Sequence, residues 1–198
     1  MIAQVETAVK KLHLGCGKDI KADWTNIDLL PGFGVDIVAD LDQCRTTPLP
    51  FEDNSFDEFL GSHLLEHLHD PLSLMQELHR IAKPDALATF RVPYGGSDEA
   101  YEDPTHVRQY FVNSWGYFSQ PFYWKADYGY RGDWIINKLY LLVSRQRYEG
   151  QNPQQIFNEI MMFRNVAIEM VAELIAVKPI REAKSELQTQ PNIEIQLI

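Results

Sequence analysis

Five short apolar runs in the first half of the chain each lead into a glycine turn, an acid or a polar loop. LHL (12–14) runs into Gly15, Cys16 and Gly17. TNIDLL (25–30) carries Asp28 near its end and runs into PGFG. VDIVAD (35–40) ends on Asp40, FDEFLGS (56–62) leads into HLLEHLHD, and LATFRVP (87–93) ends at Tyr94, Gly95 and Gly96. Runs this short, separated by crossover segments, predict parallel strands buried on both faces in an α/β sheet. One helix is strongly signalled between the last two runs. Asp70 is a good N-cap, Pro71 suits the first helical position, and Leu72, Leu74, Met75, Leu78 and Ile81 recur at helical spacing before Lys83 and Pro84 end it. The second half predicts a strand over 134–144, a helical stretch over 153–164 and a strand over 168–177. That pattern suits two antiparallel strands joined by a helical connection.

The totals narrow the function. A chain of 198 residues is read as one domain over 1–198, large enough for a full core. Its net charge of −10, with no Lys/Arg run, repels a phosphate backbone, so nucleic acid is disfavoured as a partner. Cys16 and Cys44 form neither a disulfide framework nor a zinc knuckle. The start MIAQVETAVKKLHLG lacks the pattern of a signal peptide, and no apolar run approaches the roughly 20 residues that span a bilayer. These features predict a soluble cytoplasmic protein without a membrane partner; a homo-oligomer stays open.

The strand tips carry the chemistry. A Gly-x-Gly turn lets the backbone approach a ligand closely, although an ordinary tight turn reads the same way. Asp28, at the end of the second run, is placed to accept the hydroxyls of a ribose, and equally reads as a surface acid. Asp40, at the end of the third, can accept from an exocyclic adenine amine while Leu41 covers the ring. Ligands of open α/β sheets bind at the carboxyl ends of the strands, so the three points converge on one crevice.

The order LHLGCG, NIDLL, VDIVADL, LPFEDNSFDEFLGSHLLEHLHDP, LHRIAKPDALATFRVP resembles the class I S-adenosylmethionine-dependent methyltransferases, and most closely their type 11 group. The resemblance runs from Lys11 to Pro93. It implies a Rossmann-like, seven-stranded, mostly parallel sheet flanked by helices, with an antiparallel C-terminal strand. It also implies S-adenosylmethionine as cofactor. Carried onto this chain, Gly15, Cys16 and Gly17 would lie beside the methionine part, Asp28 with Leu29 at the ribose, and Asp40 with Leu41 at the adenine. Ser62 and His63 would lie at the cofactor's edge. Two departures stand out. Only ten residues separate Gly17 from Asp28, which leaves a short helix or a loop where the family has a helix. Lys83-Pro84-Asp85-Ala86 replaces the common Lys-Pro-Gly-Gly.

The string HLLEH (63–67) contains His-x-x-Glu-His, a zinc-peptidase pattern. That reading needs a helix presenting both histidines and a third protein ligand, whereas the resemblance places Ser62 and His63 in the turn after the fourth strand and Glu66, His67 and His69 in a short helical turn before Asp70, so no metal is expected. Twelve of the 23 aromatic residues lie between Tyr101 and Trp134, in a segment (about 97–134) read as a substrate-side insertion. His106, Arg108 and Trp115 are its candidate substrate-binding residues, joined by Tyr94 just after the fifth run. His106 is the candidate general base, oriented by Asp103 or Glu102, with a purely loop-shaping role as the alternative. The expected function is methyl transfer to a small-molecule acceptor by direct displacement. A non-catalytic S-adenosylmethionine-binding or assembly protein and a nicotinamide-dependent oxidoreductase are the alternatives.

Overall fold

The computed structural model describes residues 8–198; residues 1–7, on which part of the signal-peptide reading falls, lie outside the described residues. Among the described residues, eight strands form one sheet: β1 (Lys11–Leu14), β2 (Thr25–Asp28), β3 (Ile37–Val38), β4 (Phe56–Ser62), β5 (Ala82–Pro93), β6 (Trp134–Val143), β7 (Ala167–Ala176) and β8 (Ile193–Leu197). Their spatial order is 3-2-1-4-5-7-6-8. The first five run parallel, and β7 is antiparallel to both β5 and β6. The strand order reverses between β1 and β4, which puts the crevice of an open α/β sheet at their carboxyl ends.

The eighth strand goes beyond the seven that the resemblance implies. β8 pairs parallel with β6, and its Ile193, Ile195 and Leu197 pack against the core while Glu194 and Gln196 face outward. That alternation is the period-two pattern of a half-buried edge strand.

Helix α1 (Pro71–Ile81) begins where Asp70 accepts the N–H of Ser73 at 3.2 Å, and Leu74, Met75, Leu78 and Ile81 are fully buried against the sheet. Short α2 (Glu99–Glu102) follows β5, and α3 (Arg145–Tyr148) and α4 (Pro153–Met162) make the helical connection between the two antiparallel strands. The segment between β1 and β2 is a loop. Asn26 ties it down, donating to the carbonyls of Lys21 and Trp24 and accepting from Lys21 N–H. The Lys-Pro-Asp-Ala turn survives because Asp85 takes the left-handed conformation (φ +63), leaving Ala86 free to bury. No helix of the described residues is long and apolar enough to cross a membrane.

Candidate active site

The loop after β1 turns through two left-handed glycines, Gly15 (φ +60) and Gly17 (φ +51), a conformation that costs other residues strain. Gly17 donates its N–H to Oδ2 of Asp28 at 2.7 Å, and Leu30 donates to Oδ1 at 3.1 Å. This second bond turns the chain away after Asp28, so β2 stops there and the apolar run continues into solvent. Leu29, Leu30 and Phe33 are 59%, 67% and 99% exposed. A Cβ on Gly17 would meet nothing within 4 Å, so the space over the loop is open. Cys16 is buried, and desolvation together with the Asp28 carboxylate pushes its thiol up, so it contributes backbone and packing.

Asp40 is exposed and accepts the N–H of Asp42 at 3.0 Å, capping the turn that follows β3. Leu41 departs from expectation. It is buried in the core, because the capped turn directs it inward, and it does not cover a ring at the crevice. Exposed apolar side chains come instead from Leu29, Leu30 and Phe33, in the loop that follows Asp28. For the last two, the available signal was a pair of bulky apolar residues placed within a Pro/Gly loop.

Ser62 ends β4, and His63 follows with φ +50, a left-handed backbone unusual for a residue with a side chain. Its ring stands between two buried acids: Nδ1 is 3.3 Å from Glu66 and Nε2 is 2.9 Å from Glu169, which also pairs with Arg91. The Glu66 carboxylate, and behind it Glu169, hold the imidazole above its ordinary value against the lowering effect of desolvation. Sequence reasoning did not reach Glu169 or Arg91, which arrive from β7 and β5.

The aromatic segment folds back onto the loop after β4. Val107 and Arg108 both donate their N–H groups to the Glu66 carbonyl, and the Tyr110 hydroxyl donates to Leu65 O. This brings His106 against His67, their rings edge to face 4.8 Å apart. The His106 side chain is only 8% exposed, and Asp103 Oδ2 stands 4.0 Å away while its other oxygen accepts from Thr105. An enclosed imidazole in this position is not a base open to the crevice. Trp115 is a further correction: it has no exposed surface and packs on Phe90, Tyr110 and Phe118, so it forms core and not a substrate wall. Tyr94 is likewise buried, edge-on to Phe111. The Arg108 guanidinium is committed to the carbonyls of Leu68 and His69 and acts as a brace.

Other rings of the segment do reach solvent. Tyr117, Tyr128 and Phe111, with Leu72 from the first turn of α1, rim a groove of about 640 Å³. A second hollow of about 550 Å³ lies beside Trp24 and Phe51 at the amino ends of β1, β2 and β4, opposite the strand tips that carry the acids.

Residues 12–90 match the family model of the methyltransferase domain. No curated protein matches the chain's sequence. Among solved structures, the chain is similar to an S-adenosylmethionine-dependent methyltransferase from Archaeoglobus fulgidus, with a TM-score of 0.56 and 13% identity over 85% of this chain and 86% of that one. One from Mesorhizobium loti gives a TM-score of 0.51 and 14% identity, over 84% and 90% of the two chains. The (4+2)-cyclase SpnF gives 0.54 and 15%, over 87% and 76%. At these identities the likeness is one of fold.

Proposed function

We propose that this chain, a class I S-adenosylmethionine-dependent methyltransferase in domain and fold, carries a methyl group to a small-molecule acceptor by direct displacement. S-adenosylmethionine is the cofactor that this domain and fold imply. The single observation that carries the reading is the 2.7 Å bond from Gly17 N–H to Asp28, which joins the open glycine loop to the acid at the next strand tip. The residues present fit the cofactor. Asp28 keeps lone pairs beyond its two backbone donors and would accept the ribose hydroxyls. Asp40 is exposed and would accept from the adenine amine, with Leu29, Leu30 and Phe33 as the apolar surface for the ring. When bound, the cofactor supplies a methyl group on a sulfonium that is itself a good leaving group.

What remains for the protein is alignment, bringing nucleophile and methyl to about 3–3.5 Å with water excluded. The groove rimmed by Tyr117, Tyr128 and Phe111 supports a small acceptor, since ligand pockets typically hold about 300–1,000 Å³. The net charge of −10 argues against a nucleic acid in that role. Two buried, unbridged cysteines support action in the cytoplasm.

Incubation with methyl-labelled S-adenosylmethionine and a panel of small hydroxyl-, amine- and thiol-bearing acceptors tests the proposal. Label should enter the small-molecule fraction and fall in Asp28→Ala. Cofactor that binds while its label stays unmoved across the panel would point instead to a binding protein.

A further inference from the structure

We propose that Glu66, His67 and His106 form a site for one divalent transition-metal ion of the zinc or manganese class. One ligand atom from each residue lies within 4.8 Å of the other two. Ligand atoms about 2.1 Å from an ion stand roughly 3–4 Å apart, so closure needs side-chain shifts on the order of half an ångström.

The three side chains are each poised for a cation. Glu66 is 1% exposed, and neither of its oxygens has a hydrogen-bond partner. His63 Nδ1 stands at ion-pair distance from Oε1, 3.3 Å, which leaves Oε2 with neither a donor nor a cation. Nδ1 of His106 is also buried without a partner. Unpaired polar atoms buried together are costly, and a shared cation satisfies them at once.

His67 adds the orienting bond that metal ligands commonly have. The Thr105 hydroxyl gives its one proton to Asp103 Oδ1 at 2.6 Å, so toward His67 Nδ1, 2.9 Å away, it must accept. That puts the imidazole proton on Nδ1 and leaves Nε2 with a free lone pair. A ligating histidine held through its other nitrogen is the usual arrangement. The backbone fixes the pairing as well: Val107 and Arg108 donate to the Glu66 carbonyl at 2.9 and 3.1 Å, so His106 is tied to the same loop as its partners. The expectation of no metal rested on the placement of residues 62–69 in turns; the third ligand that HLLEH lacks locally is His106, 39 residues downstream of His67.

Two imidazoles and one carboxylate suit zinc, manganese, iron or cobalt better than calcium or magnesium, and three protein ligands leave coordination positions open. The site adjoins the crevice. Leu64, two residues before Glu66, has its Cδ1 3.0 Å from where a Gly15 Cβ would be. The ion's binding stands whether or not methyl transfer is the reaction.

The test uses the full chain, stripped with a chelator, dialysed and titrated with Zn²⁺ and separately with Mn²⁺ by calorimetry. At least one ion should saturate at one per chain and raise Tm. Glu66→Gln and His106→Asn should each weaken binding tenfold or more, whereas His69→Ala, on an exposed neighbour, should bind as the parent does. Circular dichroism establishes that the variants are folded, and His67→Asn, at a half-buried position, carries the same comparison if Glu66→Gln does not fold. No saturable site for either ion, or folded triad variants that bind as tightly as the parent, overturns the proposal.

Discussion

Gly17 and Asp28 are hydrogen-bonded across the tips of adjacent strands, backbone N–H to Oδ2 at 2.7 Å. Leu30 holds the other oxygen, so the carboxylate is oriented before any ligand arrives and little ordering remains to be done on binding. Asp28→Ala should therefore weaken S-adenosylhomocysteine binding by about 1.5–3 kcal/mol, roughly 10- to 150-fold, with Asp28→Asn between it and the parent. Titration calorimetry on folded variants reads this directly, and parent-like affinity in both would remove the acid from the site.

Trp115 is a prediction about stability. Its ring is enclosed by Phe90, Tyr110 and Phe118, so Trp115→Ala should cost about 3–5 kcal/mol in urea unfolding. Cofactor affinity in the folded fraction should stay near that of the parent. A variant as stable as the parent would mean that the ring is not the packing centre of the segment.

Asp133 is fully buried and accepts from the Arg181 side chain at 2.8 Å on each oxygen, with Arg181 N–H at 3.0 Å and Gln120 N–H at 3.2 Å. It fastens the chain beyond β7 to the end of the aromatic segment. Removing one partner strands the other's charge, so Asp133→Ala should cost about 3–5 kcal/mol by the same unfolding measurement. A loss below about 1 kcal/mol would show that water replaces the pair.

Asp70 gives the pH dependence. Desolvation alone would raise its carboxyl, but bonds from the Ser73 hydroxyl and N–H and from Arg45 outweigh it and hold it below 3.8. The charged form is therefore the stabilising one. Its contribution is full above 3.8 and is lost as pH falls through the lower folded value. Asp70→Ala should cost about 0.5–2 kcal/mol at neutral pH, and the gap to the parent should narrow below 3.8. A gap that is constant with pH would assign the cost to something other than the cap.

The strand tips and α1 were legible because their signals are local. Glycine, an acid and a proline at set positions act on their own backbone, and the helix found at Pro71–Ile81 begins at Asp70 as the capping pattern requires. The antiparallel pair of β6 and β7 was legible from long apolar runs. What escaped were relationships between distant segments. Leu41 reads as a ring cover until the Asp40 cap turns it inward. Trp115 reads as a binding-site aromatic until Phe90 of β5 stacks on it. The contact of Glu66 and His67 with His106 depends on two backbone bonds to the Glu66 carbonyl, which no local pattern encodes.

The crevice at the ends of β1 to β4 is proposed to take S-adenosylmethionine. Titration calorimetry of the purified chain with S-adenosylmethionine, S-adenosylhomocysteine and NAD decides this. The first two should bind at one per chain, and NAD should give no saturable heat. Binding of NAD in preference, or of none of the three by a folded protein, would exclude S-adenosylmethionine as the ligand of this crevice.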